Sequence, residues 1–276
     1  MKLKIPVGFI GGGNMAEALI QGLLGSKTII PADCWVCDII EERLSYLKKK
    51  YGVKAINDTP QVIRSSRAVI LAVKPQNVEK ALSALAPIWS PEKVLISIAA
   101  GVPMSYLSDF FPKAAKIIRV MPNTPALVLS GISALSKNDV ANEKDLVLAE
   151  SIFKAIGETV RVEESQLDAV TGLSGSGPAY VFQFLEGLTE GGVKMGLARS
   201  IALKLAIQTV WGASQMARKM DWPLSQLKEM VTSPGGTTIH GLHVLEKAGF
   251  QGILMDAVEA AANRSKELGE TLLQKK

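Results

Sequence analysis

The feature of this 276-residue chain that most restricts its fold is a change of rhythm past its midpoint. Up to about residue 160, short apolar runs alternate with segments of helical spacing. Residues 7–10, 34–37, 68–73, 94–98 and 117–121 read as strands, and residues 15–24, 41–51, 77–85 and 144–156 as helices. The runs at 68–73 and 94–98 are apolar without alternation, as strands covered on both faces are. This βαβα succession predicts an α/β fold with a Rossmann-type, doubly wound parallel sheet. Beyond Val162 the strand signals stop, and residues 178–195, 200–220, 225–231, 239–247 and 251–268 carry helical periodicity. The expected division is a dinucleotide-binding domain over residues 1–163 and an all-α domain over 164–276. Residues 201–216 have few charges on any face. A helix apolar nearly all round is buried, and a domain this small has little interior. Part of that surface is therefore expected to face another subunit.

Several function classes are excluded by bulk properties. The net charge is +5, but the lysines and arginines are scattered. The densest run, Lys48-Lys49-Lys50, ends a helical segment, where cations complement the helix dipole. Aromatics make up 5% of the chain and none is interleaved with a basic stretch, so no nucleic-acid partner is expected. No run of about 18 apolar residues predicts a membrane span. The apolar N-terminal stretch breaks into Gly-Gly-Gly-Asn, which does not suit a signal peptide, so a cytoplasmic protein is expected. Cys34 and Cys37 are spaced C-x-x-C but flank Trp35-Val36 in a strand. Residues three apart on a strand face opposite ways and lie about 10 Å apart, beyond disulfide reach. With only His240 and His243 besides, no metal site is expected.

Gly11-Gly12-Gly13-Asn14-Met15-Ala16 follows the first strand and opens the first helix, which is G-x-G-x-x-A in its required setting. Gly11 permits a tight turn, Gly13 lets the backbone approach a pyrophosphate, and Ala16 allows close helix–strand packing. Asp38 ends the second strand 25 residues beyond Gly13, near the usual offset of about 20. A carboxylate there accepts from ribose hydroxyls and repels a 2′-phosphate, which leans toward NADH over NADPH; Arg43, a helical turn further on, could offset this. As a structural alternative, Asp38 simply caps the helix that follows. Ligands in such sheets lie beyond the carboxyl ends of the strands. The loops there supply further candidates for the cofactor site: Ala72, Val73, Lys74 and Pro75; Ala99 and Ala100; and Asn123, beside Gly11, Gly12, Gly13, Asn14 and Met15.

A second glycine turn, Ser233-Pro234-Gly235-Gly236-Thr237-Thr238, precedes the helical stretch from Ile239. Glycines expose backbone N–H groups, and the first-turn amides of a helix attract anions. Ordinary turn-and-cap chemistry accounts for the same residues. Two separated anion cradles suggest a cofactor at one and a small acid at the other.

Together these stretches, with Leu173-Ser174-Gly175-Ser176-Gly177-Pro178-Ala179-Tyr180, resemble pyrroline-5-carboxylate reductases over nearly the whole chain. The resemblance implies a Rossmann domain, a helical domain that forms a homodimer, and dimers assembled into a decamer. It implies reduction of the C=N bond of 1-pyrroline-5-carboxylate to L-proline, with NADPH or NADH as cofactor. It places the small-molecule substrate's carboxylate on Ser233, Gly235, Gly236, Thr237 and Thr238, with the Thr238 hydroxyl near the ring nitrogen as the catalytic group. Either the substrate arrives protonated or Thr238 relays a proton from water. Two rivals have different chemistry. A β-hydroxyacid dehydrogenase carries a lysine where this chain has Val181. A dinucleotide sensor that does no chemistry needs no second anion cradle.

Overall fold

The computed structural model describes residues 5–111 and 115–274. Its strands are β1 (Val7–Ile10), β2 (Cys34–Cys37), β3 (Lys54–Ala55), β4 (Ala68–Leu71), β5 (Val94–Ser97), β6 (Lys116–Pro122), β7 (Gly131–Lys137) and β8 (Gly157–Arg161). They form one sheet in the order β3-β2-β1-β4-β5-β6-β7-β8. Between and after them run α1 (Asn14–Gly25), α2 (Glu41–Tyr51), α3 (Thr59–Arg64), α4 (Val78–Leu85), α5 (Met104–Ser108) and α6 (Glu143–Phe153). The remaining helices are α7 (Leu167–Val170), α8 (Gly177–Lys194), α9 (Arg199–Lys219), α10 (Leu224–Met230), α11 (Thr237–Lys247) and α12 (Phe250–Gln274).

The sheet is not wholly parallel: β7 runs antiparallel to β6, with Val120 opposite Leu135, and β8 then pairs parallel to β7. Sequence periodicity missed both strands. β7 reads Gly-Ile-Ser-Ala-Leu-Ser-Lys, and β8, at the sheet's edge, is partly exposed and carries Glu158, Thr159 and Arg161. Neither has the continuous apolar run of β4 or β5, all of whose residues are buried.

Both faces of the sheet are covered. Phe9, Ile70 and Ile96 pack with Leu19 of α1 and Phe153 of α6 on one side. Val69, Leu71 and Leu95 pack with Leu82 of α4 and Leu107 of α5 on the other. Cys34 belongs to the first cluster and Cys37 to the second, so the two thiols lie on opposite faces, as strand geometry requires. Both are free and buried.

By packing, the chain divides into residues 1–176 with 259–276, and residues 177–258. The expected boundary at 163/164 follows the end of β8, where strands cease. The short helix α7 and the π-helical turn Thr171–Gly175 still pack with the first unit. So does the C-terminal part of α12. There the Ser265 hydroxyl donates to Asp168 Oδ1 at 2.7 Å, and a Cβ on Gly269 would sit 2.8 Å from the Gly101 carbonyl oxygen. The second unit is entirely helical and nearly without an interior in one chain: of its residues, only Thr189, Ala202 and Ala206 are buried. Phe182, Ile201, Leu205 and Trp211 are all more than half exposed. Among the described residues no helix is long and apolar enough to cross a membrane.

Burial pushes the Cys34 thiol up to about 12 and also raises Cys37. Since the thiolate is the reactive form, neither cysteine is expected to react with Ellman's reagent at pH 8 until denaturant is added. Two thiols should then titrate; a disulfide, or rapid reaction of the native protein, would contradict this arrangement.

Candidate active site

The glycine loop sits between β1 and α1, at the carboxyl edge of the sheet. Gly11 has φ +99°, a conformation that side chains rarely adopt, and a Cβ there would lie 2.6 Å from the Ala72 carbonyl oxygen. Only glycine therefore lets β1 turn so close to the loop after β4. At Gly13 the opposite holds: a Cβ would meet nothing within 4 Å, so open space lies before this backbone at the N-terminus of α1. That is the setting a pyrophosphate needs, with amides lacking intrahelical partners at the positive end of a twelve-residue helix.

A cavity of about 400 Å³ opens here. Of the residues expected from sequence, it brings together Gly11, Gly13, Asp38, Ala72, Val73 and Lys74. Sequence reasoning missed Asn57 and Thr59, which flank Asp58, and Asn77 and Lys80 around the start of α4. A usable signal existed for the first pair: Asp58 caps α3 by accepting from the Gln61 amide at 2.9 Å, and capping sequences sit at such strand-to-helix loops. The mixture of glycine backbone, carboxylate, amide, hydroxyl and ammonium groups on an apolar wall fits a dinucleotide.

The other expected residues lie elsewhere around the loops. Gly12 is buried behind the cavity wall, Asn14 is exposed at the first position of α1, and Met15 packs against the core. Pro75 begins the 3-10 turn Pro75–Asn77. Ala99 and Ala100 follow β5, the first buried and the second half-buried. Asn123 uses its side-chain oxygen to accept the Ile132 amide at 3.0 Å, tying the start of β7 to the loop after β6.

Asp38 is fixed through both oxygens: Oδ2 accepts the Gly12 amide at 2.7 Å and Oδ1 the Ile40 amide at 3.0 Å. It does not cap α2, whose N-cap is Ile40. A carboxylate has about four acceptor sites, so two remain for a ligand's hydroxyls. The Gly12 carbonyl faces Arg43, which donates from Nε to it and from Nη2 to the Gly13 carbonyl at 3.4 Å. Arg43 in turn pairs with Glu17 of α1 at 2.5 Å. Glu17 also accepts from Tyr46 at 2.9 Å, Lys50 at 3.0 Å and Tyr51 at 2.9 Å. Burial opposes the Glu17 charge, but the donors Lys50, Arg43, Tyr51 and Tyr46 outweigh it and hold the carboxyl down at about 2.

A second charged cluster holds the loop after β5. The buried Arg119 of β6 pairs with Glu164 at 3.2 Å and Asp168 at 3.8 Å. Glu164 also accepts the Met104 amide at 2.6 Å, so the 99–104 loop is pinned at its far end.

The second glycine turn belongs to residues 177–258. Gly235 has φ +67°, and the Gly236 amide closes the turn on the Ser233 carbonyl at 3.0 Å. A Cβ on Gly236 would collide with the Ser233 hydroxyl. Helix α11 starts at Thr237 with Gly236 as N-cap and no side chain capping it, so neither threonine is the cap. Thr238 is half-buried, whereas Ser233, Gly235 and Thr237 are exposed. The exposed His240 places Nδ1 2.9 Å from the Gly236 carbonyl oxygen. The arrangement is a set of first-turn amides with a threonine hydroxyl beside them, which suits a carboxylate. No cluster of three metal-ligating side chains occurs among the described residues.

Two family models match. Residues 164–268 match pyrroline-5-carboxylate reductase dimerisation, and residues 6–101 match NADP oxidoreductase, coenzyme F420-dependent. The chain is 45% identical to the pyrroline-5-carboxylate reductase of Methanosarcina acetivorans over 264 residues, 96% of this chain and 98% of that one. It is 43% identical to the Arabidopsis thaliana enzyme of the same name, over 96% of each. A solved pyrroline-5-carboxylate reductase from Coxiella burnetii superposes with a TM-score of 0.92, at 37% identity, covering 96% of this chain and 99% of that one. The Plasmodium falciparum pyrroline carboxylate reductase, solved with NADP bound, gives 0.88 at 35% identity, covering 98% and 100%.

Two measurements bear on the loop. Gly11→Ala should weaken NADH and NADPH alike by about tenfold or more in a titration of intrinsic fluorescence, since the strain and the clash at Ala72 act on the loop itself. Glu17→Gln should lower the melting temperature at pH 7 by roughly 2–4 °C. The folded carboxyl titrates below its ordinary value of 4.5, so its contribution is full above that pH and lost as pH falls toward 2. The gap between the two melting curves should close over that window; a gap that persisted in acid would contradict the assignment.

Proposed function

This chain belongs to the pyrroline-5-carboxylate reductase family, and on that footing we propose how its two cradles serve the reaction: reduction of the C=N bond of 1-pyrroline-5-carboxylate to L-proline by a nicotinamide dinucleotide. The observation that carries the assignment is identity of 43–45% with enzymes of that name along nearly the full length of each. Val181, where a β-hydroxyacid dehydrogenase has its lysine, agrees with it.

A bound nicotinamide dinucleotide supplies the hydride that adds to the imine carbon. Gly11 and Gly13, with the N-terminus of α1, hold the pyrophosphate. The free acceptor sites of Asp38 take the ribose hydroxyls, and its charge disfavours a 2′-phosphate; on this reading NADH is preferred. The NADP bound to the Plasmodium relative shows what that protein accepts, and Asp38 is the reason to expect a different balance here. In the helical unit, the amides at Gly236, Thr237 and Thr238 hold the substrate carboxylate, with Ser233 and Gly235 shaping the turn. Thr238 places its hydroxyl at the ring nitrogen, which takes a proton from water as the C=N electron pair moves onto it. Catalysis then rests chiefly on orientation. The match to the dimerisation model and the exposed Phe182, Ile201 and Trp211 support a homodimer through the helical unit; further assembly of dimers into a decamer follows only from the resemblance to the family.

The test is loss of NADH absorbance on adding pyrroline-5-carboxylate, with proline as product. Thr238→Ala should lower kcat by about tenfold, the loss of one transition-state hydrogen bond, and leave the Kd for NADH unchanged. No turnover with either reduced cofactor would favour a sensor, and unaltered kinetics in the variant would remove Thr238 from the mechanism.

A further inference from the structure

We propose that Glu17 sets the coenzyme choice by withholding Arg43 from the ribose end of the dinucleotide cavity. The inference rests on the reading that Asp38 receives the ribose hydroxyls. Arg43 and Asp38 grip opposite ends of one residue: Asp38 takes the Gly12 amide and Arg43 the Gly12 carbonyl. The guanidinium is thus within one residue's span of the carboxylate that meets the ribose. A planar cation at such a place is the group that recognises a 2′-phosphate.

In this chain the cation is otherwise engaged. Its Nε and Nη2 face the Gly12 and Gly13 carbonyls, Nη2 also pairs with Glu17, and its carbon lies 5.1 Å from the centre of the Tyr46 ring. Among the described residues Glu17 is its only carboxylate partner, and Arg43 does not line the cavity while Asp38 does. Glu17 is itself immobilised by Tyr46, Lys50 and Tyr51, so the pair cannot swing out together without breaking those bonds. The charge on Asp38 therefore faces a 2′-phosphate uncompensated by Arg43. Neutralising Glu17 removes the tether and leaves the guanidinium, still anchored at the Gly12 carbonyl, free to turn its outer nitrogens toward the ribose.

Calorimetric titration of the full chain with 2′,5′-ADP and with 5′-ADP tests this without turnover. Glu17→Gln should tighten 2′,5′-ADP by about threefold to fivefold, the worth of one partly exposed charge-assisted contact, and move 5′-ADP by less than about twofold. Arg43→Gln alone should leave the ratio of the two constants at the wild-type value, because Arg43 makes no phosphate contact there. Adding Arg43→Gln to Glu17→Gln should return the ratio to wild type. An unchanged ratio in folded Glu17→Gln, checked by its melting curve, overturns the proposal. So does a gain that survives in the double variant, which would be through-space relief of repulsion, or a specific loss with Arg43→Gln alone. Glu17→Ala gives the same readout should the glutamine variant not fold. Tighter 2′,5′-ADP than 5′-ADP in the wild type would instead overturn the reading of Asp38, and is distinct from the variant-to-wild-type shift that tests Glu17.

Discussion

Two-sided burial of the sheet is the constraint from which the rest follows. Strands β1, β4 and β5 are buried throughout, so helices must cover both faces, and parallel neighbours can be joined only by crossovers that carry those helices. Because these strands run parallel, every turn after β1, β2, β4 and β5 falls at the same edge. The glycine loop, Asp38 and the 72–74 segment meet there because the strands are apolar on both sides, and they share a cavity although they are remote in sequence. Close packing has its own demands: a Cβ at Gly22 of α1 would collide with the Ala155 carbonyl, just past α6.

The loops at this edge are held from behind by charged groups. Gly12 is gripped at its amide by Asp38 and at its carbonyl by Arg43. The segment after β5 is held by Glu164 at the Met104 amide, with Arg119 beneath it and Asp168 carrying the chain of contacts on to Ser265. The Arg43–Glu17 and Arg119–Glu164 pairs are only partly buried, so each adds modest net stability. What they provide at these two places is a fixed backbone position.

The legible part of the molecule was the part written in local pattern. The loop Gly11–Ala16 announced itself because three small residues at set spacing sit between a strand and a helix, and Asp38 because it ends the next strand. The strands β7 and β8 were invisible since their residues are mixed and β8 lies partly exposed at the sheet's edge. The helical periodicity of residues 251–268 showed that one face is apolar, but not that Ser265 and Gly269 pack with the sheet-bearing unit, because periodicity specifies a face and never its neighbour. Arg43 was legible as a cation a helical turn beyond Asp38, placed to offset its charge, but its engagement by other groups was not. That Glu17 and Gly12 engage it depends on how α1 and α2 pack, which neither segment encodes alone. The Ser233–Thr238 turn was read correctly as a helix start, yet its cap is Gly236 rather than a threonine.

The helical unit, with three small side chains as its whole buried interior, has a consequence for how the chain reaches its working state. A segment that buries so little of its own apolar surface gains little by ordering alone, so its order is completed by association. Recovery from denaturant should then separate in time. The sheet-bearing unit regains its structure at a rate independent of dilution, while the helices order at a rate that rises with protein concentration. A cell making this protein sparsely would accumulate chains with a finished nucleotide fold and an unfinished partner, and abundance itself becomes a determinant of folding.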